Sequence, residues 1–398
     1  MKQLLPALLV VSVAPAGAAV LVDAYQPASV NLSESWKMTP QVDVGVGFDD
    51  NTAHSSANEV DSWFWRIAPE LLFHAGNDTS RYEIDYRLVD GHYFSSDEDD
   101  YTDHALKLGL EHHFTRRHRI EAFYNYRREH EARGEGITET RGLAVDTVAK
   151  LDVQDAAIIY GFGVPSARIN LDFELGYYDK EYTNLRAISQ FRDYDTTRAR
   201  VTMYWRLGAK TKLIGEWNGY NTEFARDDAD GLNRDSFDQQ IFTGIRWEAT
   251  SKTSGTIKLG YETRDFDSSG RTDFDGFAWK IGMDWKPRSY SVFSLESGSR
   301  TKDPDTLGDF VEEDSYRVMW NHKWRERLST SASISYTDET FTGFDREDEL
   351  LQASVGITLA WKRWLASDFT YQIADQDSTR EAAKYDKNLF LATVRISL

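Results

Sequence analysis

Arg198, Arg200 and Arg206 recur at even spacing, with Tyr204 between the last two. In an extended chain alternate side chains share a face, so these four form a basic stripe with an aromatic set into it. The cations of such a stripe can meet anionic groups, and the apolar face of an aromatic ring can lie against a sugar ring. Phe64, Tyr93, Phe123, Tyr178, Tyr220 and Phe242 are placed on the same kind of face by the same parity. Each of them could instead be wall packing, and acidic residues on the preceding strand are positioned to neutralise the stripe.

Catalytic groupings are not legible. There is no G-x-S-x-G, and Ser329, Ser331, Ser333 and Ser335 form an alternating polar row rather than a nucleophile beside a base. His112-His113 and His118 lack the H-E-x-x-H spacing of a metal site. Asp227-Asp228-Ala229-Asp230-Gly231 has the acidity of a calcium loop without its ligand spacing or terminal glutamate. With no cysteine there is neither a disulfide framework nor a thiolate metal site. No catalytic residue, metal or cofactor is therefore expected. A formal net charge of -19 and a pI of about 4.9 exclude a nucleic-acid-binding surface, which needs basic charge to meet phosphate.

The elements that carry these residues are strands. Phe277, Trp279, Ile281, Met283 and Trp285 alternate with Lys280 and Asp284, and the pattern recurs to the last residue through Phe390, Ala392, Val394, Ile396 and Leu398. Similar runs include Trp63 to Phe73, Tyr82 to Leu88, Ile169 to Leu175, Val201 to Leu207 and Leu351 to Trp361. Segments of about ten residues, greasy on one face and polar on the other, predict an all-β fold: a transmembrane, antiparallel, up-and-down β-barrel of about 18 strands. A mean hydropathy of -0.56 does not oppose this, because such a barrel shows only alternate residues to lipid.

Lys2, an apolar run from Leu4 to Ala14 and Ala16-Gly17-Ala18 predict a secretory signal peptide over 1–18. Without cysteine no lipobox anchor is expected. A periplasmic lead over 19–39 and a barrel over 40–398 follow, which places the protein in the outer membrane of a Gram-negative bacterium. Outer-membrane lipid, lipopolysaccharide and the barrel assembly machinery are its expected surroundings.

Connections alternate short and long. Gly76-Asn77-Asp78-Thr79, Arg116-Arg117-His118, Pro165-Ser166, Pro287-Arg288 and Arg325-Glu326-Arg327 read as periplasmic turns. Arg128 to Val153, Thr183 to Asp193, Ala225 to Asp235, Thr301 to Asp314 and Gln376 to Asp386 read as outward loops. Acidic clusters at Asp97 to Asp100, Asp227-Asp228, Glu312 to Asp314 and Glu347 to Glu349 fall with the loops. Trp36, Trp63, Trp285, Trp324, Trp361 and Trp364 sit where interfacial girdles belong.

About 18 strands enclose an aqueous lumen, and its wall carries both signs of charge, which argues against strong ion selectivity. The stretch from Arg128 to Val153, bearing His130, Glu131, Arg133 and Gly134, exceeds the roughly 12 to 15 residues beyond which a structureless loop is usually functional or disordered. Gly134, Gly136 and Gly142 permit bends, and Arg133 can pair with a wall carboxylate such as Glu70 or Glu121. The expectation is a loop that folds inward and gates the lumen; a flexible surface loop is the alternative.

From Val42 to about Gly136 the chain resembles the putative β-barrel porin 2 family, outer-membrane proteins associated with exopolysaccharide production. The residues that carry the likeness are Gly47-Phe48-Asp49-Asp50-Asn51, Asp61-Ser62-Trp63 through Pro69-Glu70-Leu71, Asp99-Asp100-Tyr101-Thr102-Asp103-His104 and His130-Glu131-Ala132-Arg133-Gly134. The resemblance implies a barrel that passes a polysaccharide polymer across the outer membrane with a periplasmic polysaccharide export protein. A general or sugar-diffusion porin, an outer-membrane enzyme and an adhesive structural barrel stay open.

Overall fold

The computed structural model describes residues 25–164, 166–248 and 252–398; the predicted signal peptide lies outside the described residues. Eighteen antiparallel strands, from β2 (Trp36–Asp49) to β19 (Tyr385–Ser397), pair each with the next in chain order. The ring closes where β19 pairs with β2, from Leu389 opposite Asp49 to Ser397 opposite Gln41. Closure removes the two edges that would otherwise expose unpaired N–H and C=O groups to hydrocarbon. A two-residue strand, β1 (Val30–Asn31), adds to the start of β2.

Alternation decides which face is which. Phe277 is 59% exposed whereas its neighbour Ala278 is 1% exposed. Val201, Met203 and Trp205 likewise face out, and Thr202 is buried. Large apolar side chains on the outside and polar ones inside are the inverse of a water-soluble barrel and fit a bilayer as solvent. Trp63 near one end and Trp285, Trp324, Trp361 and Trp364 near the other are exposed on the outer face, as girdles require.

Short turns such as 77–79, 114–117 and 326–327 gather at one end, where Ala28 N–H donates to the Leu398 carbonyl. Tyr25 enters the lumen there, packing on Ala360 and Ala366 with the Arg395 guanidinium 4.8 Å from its ring centre. The longer connections gather at the other end. Several strands run further into them than alternation indicates. β6 (His118–Glu131) and β7 (Ala149–Phe162) shorten the expected Arg128–Val153 loop to 132–148. Glu312 to Asp314 lie on β15 (Phe310–Arg325) and Glu347 to Glu349 on β17 (Glu347–Lys362), not in loops. Beyond the bilayer the outer face meets water, so both faces turn polar while backbone pairing continues. The first barrel strand also begins at Trp36, inside the stretch read as the lead.

Candidate functional site: the lumen and its mouth

The wall that carries the predicted basic stripe comprises β8 (Ile169–Tyr182), β9 (Tyr194–Arg206), β10 (Thr211–Phe224), β11 (Ser236–Trp247), β12 (Thr253–Phe266) and β13 (Phe274–Arg288). Arg198, Arg200, Tyr204 and Arg206 do share the lumen face of β9, opposite the exposed Val201, Met203 and Trp205. Their charges fare differently. Arg198 meets Asp155 at 2.6 Å and Glu174 at 3.1 Å, and Arg200 meets the other oxygen of Glu174 at 3.2 Å. Acidic residues on preceding strands thus neutralise two of the three arginines. Arg206 makes no ion pair among the described residues.

Further round, Lys258 pairs with Glu216 at 2.8 Å, Lys280 donates to Gln240 at 2.9 Å, and both ammonium groups lie over the ring of the buried Phe242. Most of the charges on this stretch of wall are therefore matched, and Arg206 is an exception. The other aromatic candidates are largely absorbed into the wall. Tyr93 stacks on Phe64 with centroids 5.0 Å apart, Phe123 lies under the Arg198 guanidinium, and Tyr178 packs with Tyr194, Leu151 and Val153. Tyr204 differs, with Lys212 and Arg246 over its ring.

The mouth at the loop end is covered by interlocked loops. The four residues expected in one gating loop are divided among three settings. His130 lies on β6, its ring stacked on Tyr101 (β5, Tyr101–His113) at 3.9 Å and bonded to Asp103. Glu131 closes β6, where it accepts from Lys180 at 3.2 Å and from the Tyr182 hydroxyl at 2.7 Å. Arg133 and Gly134 belong to the loop itself. Arg133 pairs neither with Glu70 nor with Glu121; it forms a bidentate pair with Asp99, at 2.7 and 2.8 Å, and bonds Ser96. The carboxylate it needs sits on the neighbouring loop rather than the wall, because Arg133 lies past the end of β6. Burial raises the Asp99 carboxyl, but hydrogen bonds from Arg133 and Ser96, with the Arg133 charge, outweigh it and hold the group below its ordinary range.

From there the loop 132–148 crosses the opening. The Arg133 carbonyl bonds His54 of the loop 50–61 at 2.9 Å, and a Cβ on Gly134 or Gly142 would fall 2.2 or 2.1 Å from the Ala53 carbonyl oxygen. Gly134 also has φ +83°. Only glycine permits this approach. At its tip Glu139 meets Arg346, on the connection between β16 (Leu328–Thr342) and β17. That connection stands on the opposite side of the ring from β6 and β7 in the strand order.

A second knot joins the loops on the β8-to-β15 side of the mouth. Asp228 accepts from Arg192 and Arg234 at 2.6 Å each and from Arg271 at 2.8 Å. These arginines also reach carbonyls of Asp305, Gly308 and Asp309, so four successive long loops are joined. The acidic run around Asp228 thus anchors arginines, and no group of metal-ligating residues occurs among the described residues.

An 18-stranded closed barrel with a greasy exterior and a polar lumen is the architecture of a porin, and the family comparison agrees. The model of the putative beta-barrel porin 2 family matches residues 23–398. The chain belongs to that family. It is an outer-membrane, porin-like β-barrel. None of the curated proteins matches it. Among solved structures it is similar to OccK2 (OpdF) of Pseudomonas aeruginosa, at 9% identity and a TM-score of 0.51, covering 92% of this chain and 98% of that one. It is also similar to the FrpB iron transporter of Neisseria meningitidis, at 10% identity and a TM-score of 0.50. The match covers 87% of this chain and 63% of FrpB, so the chain spans under two thirds of that protein's length. At such identities the likeness concerns the barrel fold.

Proposed function

We propose that this porin-family barrel exports exopolysaccharide or capsular polysaccharide through a gated lumen, receiving the polymer from a periplasmic polysaccharide export protein. In this reading the turns face the periplasm, the long loops face outward, and the barrel sits in the outer membrane of a Gram-negative bacterium. The observation that carries it is the loop 132–148, laid across the mouth and tied to the far side through Glu139 and Arg346. A general diffusion porin works through a standing opening, so a tied cover favours a conduit that opens on demand. The charge pairs along much of the lumen wall fit passage of a bulky hydrated chain better than selection of small ions.

The test is polymer secretion. Deleting the gene should leave polysaccharide inside the cell envelope, and complementation should restore it at the surface. Unchanged surface polysaccharide with increased resistance to small hydrophilic antibiotics would instead mark a diffusion porin.

A further inference from the structure

We propose that the lumen carries, at its turn end, a binding site for the acidic units of an anionic saccharide, built from Arg206, Lys212 and Arg246 around Tyr204. The choice of a saccharide as ligand rests on the export reading; the anion site itself rests on the wall geometry.

Lys212 on β10 stands directly opposite Arg206 on β9 and Arg246 on β11. All three side chains share the lumen face, since the intervening Leu213, Trp205 and Ile245 belong to the outer one. Like charges directly opposite one another destabilise a sheet. Elsewhere on this wall the conflict is relieved by carboxylates: Arg198 and Arg200 have Glu174, Lys258 has Glu216, and Arg264 has Asp238 at 2.7 Å. Here no ion pair relieves it among the described residues. The nearby carboxylates are engaged, Glu216 with Lys258 and Asp172 with Arg119 at 2.5 Å, and Glu248 lies exposed past the end of β11.

What holds the row is aromatic. The Lys212 ammonium lies 5.7 Å and the Arg246 guanidinium 5.2 Å from the centre of the Tyr204 ring, and Arg246 Nε donates to Thr256 Oγ1 at 3.2 Å. An aromatic face positions cations without cancelling their charge. The Tyr204 hydroxyl has no hydrogen-bond partner among the described residues and is left to meet a ligand hydroxyl. Three adjacent strands at about 4.8 Å spacing set the row at about 10 Å, wider than a single phosphate. Such a row suits successive carboxylates along an extended chain, each taken by a guanidinium or ammonium.

The test uses the purified full barrel in detergent and calorimetric titration with trigalacturonate, with maltotriose as the neutral comparison and inorganic phosphate as competitor. Trigalacturonate should bind at least about tenfold more tightly than maltotriose and weaken as salt rises. The R206Q/K212Q/R246Q variant should lose at least about tenfold in affinity, whereas K212R, which keeps the charge, should stay near the parent. If the triple variant fails to show heat-modifiable migration, R206Q and K212Q singly carry the comparison. Equal binding of maltotriose, undiminished binding by a folded triple variant, or displacement by phosphate at matched charge would each overturn the proposal. Polymer secretion is read separately, so normal secretion in a gene deletion would sink the export reading while this binding result still stood.

Discussion

Glu139 and Arg346 lie 207 residues apart in the chain and meet across the mouth of the barrel, Arg346 Nη1 donating to Glu139 Oε2 at 2.8 Å. Arg346 is also bonded to Asp348 at the top of β17, so the tip of the loop 132–148 is fastened to a strand of the far wall. The Arg346 side chain is 2% exposed and that of Glu139 20% exposed. Removing one partner of a buried pair strands the other charge, at about 3 to 5 kcal/mol. Arg346→Ala should therefore release the loop while leaving the strand ladder intact. Limited proteolysis checks this: cleavage within 139–145 should appear in the variant and be slow in the parent. Equal cleavage would show that the tie does not hold the loop.

Acid should act on this cover through two groups of opposite sign. Burial, with Lys387 adding to it, holds the His54 imidazole below its ordinary 6.5. A depressed histidine supports the closed arrangement above about pH 6.5, and that support is lost as pH falls below it. Burial lifts the Glu139 carboxyl above its ordinary 4.5, with Arg346 opposing. A raised carboxyl supports closure increasingly as pH falls through its raised value toward 4.5. Glu139→Gln can keep the hydrogen bond from Arg346, which stays paired with Asp348, and removes the opposing carboxyl, so lowering pH from about 7.5 to about 5.5 should raise channel open probability as His54 takes up its proton. Adding His54→Gln should abolish that rise. A Glu139→Gln channel indifferent to pH would remove His54 from the account.

The barrel was legible in the sequence because lipid imposes a period of two on every crossing strand. Phe277 to Trp285 and Phe390 to Ser397 carry that period, and both lie in strands. Strand ends were less legible. Glu313, read as a loop residue, is 2% exposed on β15 between Arg300 and Lys302, where no lipid enforces an apolar outer face. Of the candidate site, the shared face of Arg198, Arg200, Tyr204 and Arg206 followed from parity alone. Which of these charges survive did not, because Glu174, Lys212 and Arg246 reach them through inter-strand register. Partners such as Asp99 for Arg133, Arg346 for Glu139 and the arginines of Asp228 are set by loops folding over a mouth, and no local spacing encodes them.

Closure of the ring predicts an assembly defect. β19 supplies the pairing to β2 from Leu389 to Ser397. Deleting Leu389 to Leu398 should abolish heat-modifiable migration and membrane insertion, since β18 (Leu365–Ser378) and β2 would be left as open edges in lipid. A truncated protein that migrates and inserts normally would show that another pairing closes the barrel.

Orientation can be read with a single cysteine, because the chain has none of its own. Asp230, at the exposed tip of the loop 225–235, is the position to use. A membrane-impermeant maleimide should label Asp230→Cys on intact cells. Labelling only after the outer membrane is broken would invert the assigned topology.

The most direct test of the gated-channel account is single-channel conductance in planar bilayers, comparing the full barrel with one lacking Ala132 to Val145. The account predicts that the parent is mostly closed with brief openings and that the deletion gives a steady, large conductance with the heat-modifiable barrel preserved. A parent that conducts continuously at the same level as the folded deletion variant would contradict it.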